Sequence, residues 1–181
     1  MAEKFEEIAV VVDQSSLGNG IYDLTLKTDK IAKAAKAGQF VSVYSNDKSK
    51  LLPRPISLCG INRDDDTIRL VYRVTGEGTG TEEFSKLVRG DKVRLLGPLG
   101  NGFTVQPGKK AFLIGGGIGV PPMLQLAKDI NAGIVQTPGE EKNSEQAAME
   151  GEEIKTAVCD MNIVMGYRDE NTFLLDEFKE Q

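Results

Sequence analysis

The sequence predicts a small antiparallel β-barrel of six strands followed by a partial α/β unit. Three observations carry this. Up to about residue 105 the chain is a series of short segments with period-two alternation, separated by Gly, Pro, Asn and Asp turns. Only one short helix interrupts them, which favours a barrel over a mixed sheet. The texture then changes at Ala111-Phe112-Leu113-Ile114, a continuous apolar run followed by Gly115-Gly116-Gly117-Ile118-Gly119 and a helix. A buried strand, a glycine turn and a helix are how an α/β nucleotide-binding unit begins. The division falls at residues 1–105 and 106–181.

Residues 6–15 alternate loosely and end in a turn-rich cluster, Ser15 to Gly20. Ile21–Lys27 places Tyr22, Leu24 and Leu26 on one face and Asp23, Thr25 and Lys27 on the other, so it reads as a half-buried strand. The Gly-Asn-Gly turn makes these two an antiparallel pair. Lys30 to Lys36 reads as a helical turn or loop, and Gln39 to Ser45 as a strand. A fourth strand is expected near Ile56 to Gly60. Thr67–Thr75 is the clearest strand, with Ile68, Leu70, Tyr72 and Val74 on one face. A short helix follows from about Glu82 to Leu87, with Thr79 and Glu82 at capping-box spacing. Asp91–Leu96 closes the series.

In the second unit, Ala111–Ile114 is expected to be buried on both faces. Val120-Pro121-Pro122 opens a helix through about Ile130, proline being well placed in a first helical turn. Met161–Tyr167 is a second strand and Asn171–Lys179 a second helix. Residues 131–157 are polar and acidic, without apolar periodicity, and read as a flexible insertion. Half an α/β sheet should leave a strand edge and apolar surface exposed near Val164, to be covered by a partner or by self-association.

Composition narrows the chemistry. The 181 residues include no histidine, which removes Ser-His-Asp and Cys-His nucleophiles, His-ligated metals and imidazole acid–base catalysis. Any chemistry is therefore expected from a cofactor. A net charge of −5 without a basic stripe disfavours nucleic acid. No apolar run reaches the roughly 20 residues of a membrane span, and the acidic start has no signal-peptide pattern. Two cysteines, Cys59 and Cys159, form no disulfide framework, and a reducing, cytoplasmic setting is expected.

Three stretches could hold a ligand. In Pro53-Arg54-Pro55-Ile56-Ser57 two prolines stiffen the backbone around one arginine. A guanidinium so presented suits a bidentate phosphate contact, and Ser57 can offer a hydroxyl to another part of the same ligand. Read alone, it is more readily an edge-strand turn with a surface arginine. The second stretch is Val71-Tyr72-Arg73 with Gly76-Glu77-Gly78-Thr79 beyond it, where glycines before a helix start expose N–H groups to phosphate. It is equally a turn that merely caps a helix. The third, Gly115 to Pro122, carries Val at position 120, where the dinucleotide fingerprint needs its last glycine. A tight strand-to-helix turn explains it as well.

Together with Gly97-Pro98-Leu99-Gly100-Asn101-Gly102-Phe103, these stretches resemble, in order and wording, the ferredoxin reductase-like flavoproteins. Among them the sequence is most similar to the electron-transfer subunits of dihydroorotate dehydrogenase B, over residues 5–130 and again at 158–178. The resemblance implies a barrel that binds FAD and a Rossmann-like α/β domain that meets NAD. It implies Arg54 on the flavin pyrophosphate, Ser57 toward the isoalloxazine, Pro55 and Ile56 between them as cofactor-binding residues, and Val71, Tyr72 and Arg73 along the flavin and ribityl chain. Gly78 and Thr79 would hold phosphate. Gly115, Gly116, Gly117 and Gly119 would face the nicotinamide nucleotide. The family passes electrons between NAD, FAD, a [2Fe–2S] cluster and a dihydroorotate-oxidising partner flavoprotein, in a heterotetramer serving pyrimidine (UMP) synthesis.

The sequence departs from that pattern in two ways. A [2Fe–2S] cluster of this kind needs four cysteines, and this chain has two, a hundred residues apart. The α/β unit is also short, so the chain reads as a C-terminally truncated or divergent member. It is expected to bind FAD, to lack the cluster and to bind NAD weakly or not at all. The alternatives are a subunit of another reductase of this type, serving sulfide or ferredoxin:NADP chemistry, and a barrel that has lost its flavin and acts as a binding module.

Overall fold

A computed structural model describes residues 3–47, 49–106, 109–134 and 160–181. The first six strands are β1 (Phe5–Gly18), β2 (Ile21–Lys27), β3 (Phe40–Val43), β4 (Arg54–Asn62), β5 (Thr67–Arg73) and β6 (Lys92–Leu99). They close into a barrel in the order β1-β2-β5-β4-β3-β6, with every pair antiparallel. Alternation does what the sequence implied: Leu24 and Leu26, Val41 and Val43, Ile68 and Leu70, and Val93 and Leu95 all point inward and are buried.

One end of the barrel is stoppered by α1 (Lys30–Ala34), whose Ile31 and Ala32 are buried. Its first turn has no cap of its own. Glu7 on β1 supplies one, accepting from the Lys30 and Ile31 N–H groups at 2.9 and 3.0 Å. Phe84 of α2 (Gly80–Phe84) lies among the core side chains of the barrel.

Three expectations about elements shift. β1 runs on through the serines to Gly18, because Ser15 and Ser16 pair with Asp23 and Tyr22, and only Asn19 and Gly20 turn. Both have positive φ, as a two-residue hairpin turn requires. α2 starts two residues early, because Thr79 is its N-cap and accepts the Glu82 N–H at 3.3 Å. The second helix of the α/β unit, α4 (Leu175–Lys179), is shorter than expected, because Leu174 is left-handed with φ 64° and breaks the helix there.

The chain enters its second unit through β7 (Ala111–Gly116), a 3-10 turn at Gly117–Gly119 and α3 (Pro121–Asn131). β7 pairs in parallel with β8 (Met161–Gly166). A second apolar cluster joins the two units. Ile21, Ala37, Cys59 and Val71 of the barrel pack with Leu113, Val120, Leu124, Phe173 and Phe178.

The expectation that β7 is buried on both faces is overturned. Leu113 is buried, but Phe112 is 65% and Ile114 73% exposed, beside Val164 of β8 at 55%. Among the described residues the sheet has two strands, and α3 and α4 cover one face. Exposed apolar surface therefore does lie near Val164. The expected insertion at 131–157 lies outside the described residues from position 135 onward.

Cys59 sits at the seam between the units, fully buried. Burial pushes its thiol up to about 12, with the neighbouring Arg69 guanidinium pulling weakly the other way. At neutral pH almost none of it is thiolate, the reactive form. The native protein is expected to leave Cys59 unmodified by iodoacetamide and to react there only once unfolded. Peptide mass mapping separates this from Cys159; rapid native labelling at Cys59 would contradict the packing.

Candidate functional site

Two arginine side chains at the ends of neighbouring barrel strands have no partner among the described residues. Arg54 opens β4 and Arg73 closes β5. Neither side chain makes a hydrogen bond or ion pair among the described residues, and the Nε of Arg54 is buried there without an acceptor. A buried guanidinium nitrogen left unpaired costs free energy on the order of 1–3 kcal/mol. Arg54 is partly buried, so its unused donors are positioned for an anion from outside the chain.

The backbone fixes where that anion would lie. A Cβ placed on Gly80 would stand 3.4 Å from Arg54 Nε and 3.5 Å from its Cγ, so the arginine stem lies against the first residue of α2. α2 is in turn held to the end of β5, where the Thr75 N–H donates to the Thr81 hydroxyl at 3.1 Å. The glycine loop 76–79 thus stands beside Arg54. Gly80 was legible as the third glycine of Gly76-Glu77-Gly78-Thr79-Gly80, but the sequence reading gave it no role.

The loop has room and already binds an anionic oxygen. Nothing lies within 4 Å of a Cβ built on Gly78. Its N–H donates to the Glu82 carboxylate at 2.6 Å. Lys86 and this Gly78 bond together hold the Glu82 carboxyl below its ordinary range. The Thr79 hydroxyl is committed to the turn, donating to the Gly76 carbonyl at 2.7 Å and accepting from Glu82 N–H. A ligand contact by Thr79 therefore falls to its backbone.

The other expected residues divide by face. Pro55 and Ser57 are exposed on the outer face of β4. Ile56 and Tyr72 turn inward and belong to the barrel core. Tyr72 stacks on Tyr22 with ring centroids 5.9 Å apart and donates to Gln14 Oε1 at 3.1 Å. Burial raises its phenol above the usual range, with Tyr22 adding to the effect. The side chains of Ile56 and Tyr72 thus shape the wall from behind. Val71 is buried in the seam cluster.

The 3-10 turn packs against β5, which brings the glycine turn over the same edge of the barrel. Gly115 is packed tightly there: a Cβ would meet Val120 Cα at 3.0 Å and the Gly119 carbonyl at 3.1 Å. Gly116, Gly117 and Gly119 have nothing within 4 Å and present bare backbone. The Arg54 guanidinium, the loop N–H groups and this bare glycine backbone are the kinds of donor that suit an anionic ligand. Among the described residues no cluster of side chains could hold a metal ion, and no helix is long and apolar enough to cross a membrane.

Residues 9–103 match the family described as an oxidoreductase FAD-binding domain. The chain is 45% identical over 128 residues to a Streptococcus mutans protein named dihydroorotate dehydrogenase B (NAD(+)), electron transfer subunit. That match covers 69% of this chain and 48% of the relative. An Enterococcus faecalis protein of the same name is 42% identical over 132 residues, covering 71% and 49%. The chain thus spans about half the length of the curated relatives it matches. In fold it is similar to an NADH-dependent reduced ferredoxin-NADP oxidoreductase, with a TM-score of 0.72 at 23% identity over 96% of this chain and 54% of that one. Ferredoxin-NADP+ reductase from Plasmodium falciparum gives 0.71 at 15% identity, over 96% and 63%.

Proposed function

This chain belongs to the oxidoreductase FAD-binding domain family, and on that premise we propose that it is the FAD-holding electron-transfer subunit of a dihydroorotate dehydrogenase serving pyrimidine (UMP) synthesis in the cytoplasm. Electrons would come from a dihydroorotate-oxidising partner flavoprotein, in a heterotetramer, and leave toward NAD. The observation that carries the reading is the pair Arg54 and Arg73, on adjacent strands beside an open glycine loop, their side chains unpartnered among the described residues. The names of the relatives at 42–45% identity, electron transfer subunits of a dihydroorotate dehydrogenase, support this choice of substrate and of a partner subunit.

The residues present fit FAD. We assign residues 1–105 to its binding and residues 106–181 to a partial nucleotide-binding unit. Arg54 would hold the pyrophosphate with the backbone of Gly78 and Thr79, and the Glu82 carboxylate must yield its place on the Gly78 N–H. Pro55 and Ser57 would lie under the isoalloxazine, with Arg73 along its edge and the buried Val71 behind it. Gly115, Gly116, Gly117 and Gly119 would face a nicotinamide, bound weakly. Bound FAD supplies the redox chemistry, taking and releasing electrons singly or in pairs. The chain's own part is to bind, orient and shield it. A [2Fe–2S] cluster does not fit: two cysteines, Cys59 fully buried, cannot supply four ligands.

The test is anaerobic mixing of the FAD-loaded chain with the dihydroorotate-oxidising subunit. Dihydroorotate is expected to bleach the flavin absorbance of this chain only when that subunit is present. A flavin that stays oxidised throughout rejects the reading.

A further inference from the structure

We propose that Arg69 is a positioning residue: its guanidinium, gripped by Asp23 and by Glu177, locks α4 to the barrel and thereby sets the glycine turn over the flavin face. The clamp crosses three elements. From β5, Arg69 Nε and Nη2 donate to the Asp23 carboxylate on β2 at 2.6–3.0 Å. Its Nη1 and Nη2 donate to Glu177 of α4 at 2.6 and 2.8 Å. Lys128 of α3 stands 3.9 Å from the same Glu177 carboxylate. Two bidentate grips by one planar guanidinium fix orientation as well as distance.

The surroundings make the clamp necessary. A cleft of about 700 Å³ runs along the seam at this point, lined by Asn62, Arg63, Arg69, Gln125, Lys128 and Asp129. Apolar packing therefore does not close the seam here. Leu174, just before α4, is held in the left-handed region at φ 64°, a conformation a leucine keeps only when its surroundings enforce it. α4 has five residues and no side-chain cap, so its own hydrogen bonds cannot enforce it. The clamp and the buried Phe173, Leu174 and Phe178 can.

The link to the site runs through α3. Phe178 and Phe173 pack in the same cluster as Leu124 and Val120. Val120 directly follows the glycine turn and donates its N–H to the Gly117 carbonyl at 3.1 Å. Gln125 anchors the same helix to the barrel, its Oε1 accepting from Ile61 N–H at 2.7 Å. α3 is thus pinned to β4 in its middle, to α4 along its side, and carries the glycine turn at its start. Releasing α4 frees the helix to pivot on Gln125.

The part concerning flavin rests on the proposed FAD reading; the part concerning the turn does not. Hydrogen exchange of Arg69→Gln and Arg69→Lys, with and without FAD, tests both. In Arg69→Gln the α4 amide of Phe178 and the turn amides of Val120 and Met123 are expected to exchange about tenfold faster or more, while β5 amides stay unchanged. FAD affinity should fall roughly threefold to tenfold. Arg69→Lys, which keeps the charge but not the fork, should recover only part of both. Acceleration confined to α4, with Val120 and Met123 exchange unaltered, overturns the proposal. If the unaltered protein takes up no FAD, the FAD reading fails, and faster turn exchange in Arg69→Gln still supports the clamp.

Discussion

Arg54→Gln is expected to weaken FAD binding by roughly 30- to 150-fold, which corresponds to about 2–3 kcal/mol. The substitution removes a charged donor set whose Nε is buried and unpaired in the free protein. Glutamine keeps a polar tip but has neither the charge nor the fork that grips a pyrophosphate at two points. The folded barrel should lose little, because the Arg54 side chain makes no hydrogen bond or ion pair among the described residues and its stem lies against Gly80. Thermal stability without FAD is therefore expected to stay near that of the unaltered chain. Fluorescence titration with FAD measures the affinity, and an affinity unchanged within twofold would remove Arg54 from the site.

Gly38→Ala is expected to cost about 2–4 kcal/mol of stability, enough to lower Tm by roughly 10 °C in a chain of this size. Gly38 has φ +85° and lies where the chain leaves α1 for β3. A methyl group there would meet the Phe103 backbone nitrogen at 2.8 Å and its ring at 2.5 Å. Phe103 cannot retreat freely, because its N–H donates to the Ala37 carbonyl at 2.9 Å. The neighbouring Gln39 side chain also ties this corner down, donating to the Gly100 carbonyl at 2.9 Å. The corner is where the barrel hands the chain to the second unit, so the loss should spread to both. Calorimetry of the variant checks it; a Tm within 2 °C would mean the corner relaxes cheaply.

The barrel was legible because its strands are buried on one face only. Alternation then marks the inward residues directly, as in Leu24 and Leu26 or Ile68 and Leu70. The same logic misled at Ala111–Ile114. An apolar run signals two apolar faces, and cannot say whether a second layer is present to cover both, as the exposed Phe112 and Ile114 show. Of the site, Arg54 and the glycine loops stood out as local patterns. Ile56 and Tyr72 lay in the same motifs, but facing is set by register and closure, which turned both into the core.

What the sequence hid was long-range. Arg69 reads as one more polar position on an alternating strand, yet its partners lie 46 and 108 residues away. Gln125 and Asp129 look like exposed positions of an amphipathic helix. They are buried at the seam, 2.7 Å apart, and burial raises the Asp129 carboxyl above its usual range. No spacing rule reveals such pairs, because only the closed barrel and the docked helix bring them together.

Whether the chain holds FAD is read from the visible absorption spectrum of the purified protein, before and after incubation with FAD and removal of the excess. The two bands of oxidised flavin are expected, without broad iron–sulfur absorbance beneath them, and extraction should yield FAD rather than FMN. A protein that stays colourless after incubation rules this out: Arg54 and the glycine loop beside it would then form no flavin site.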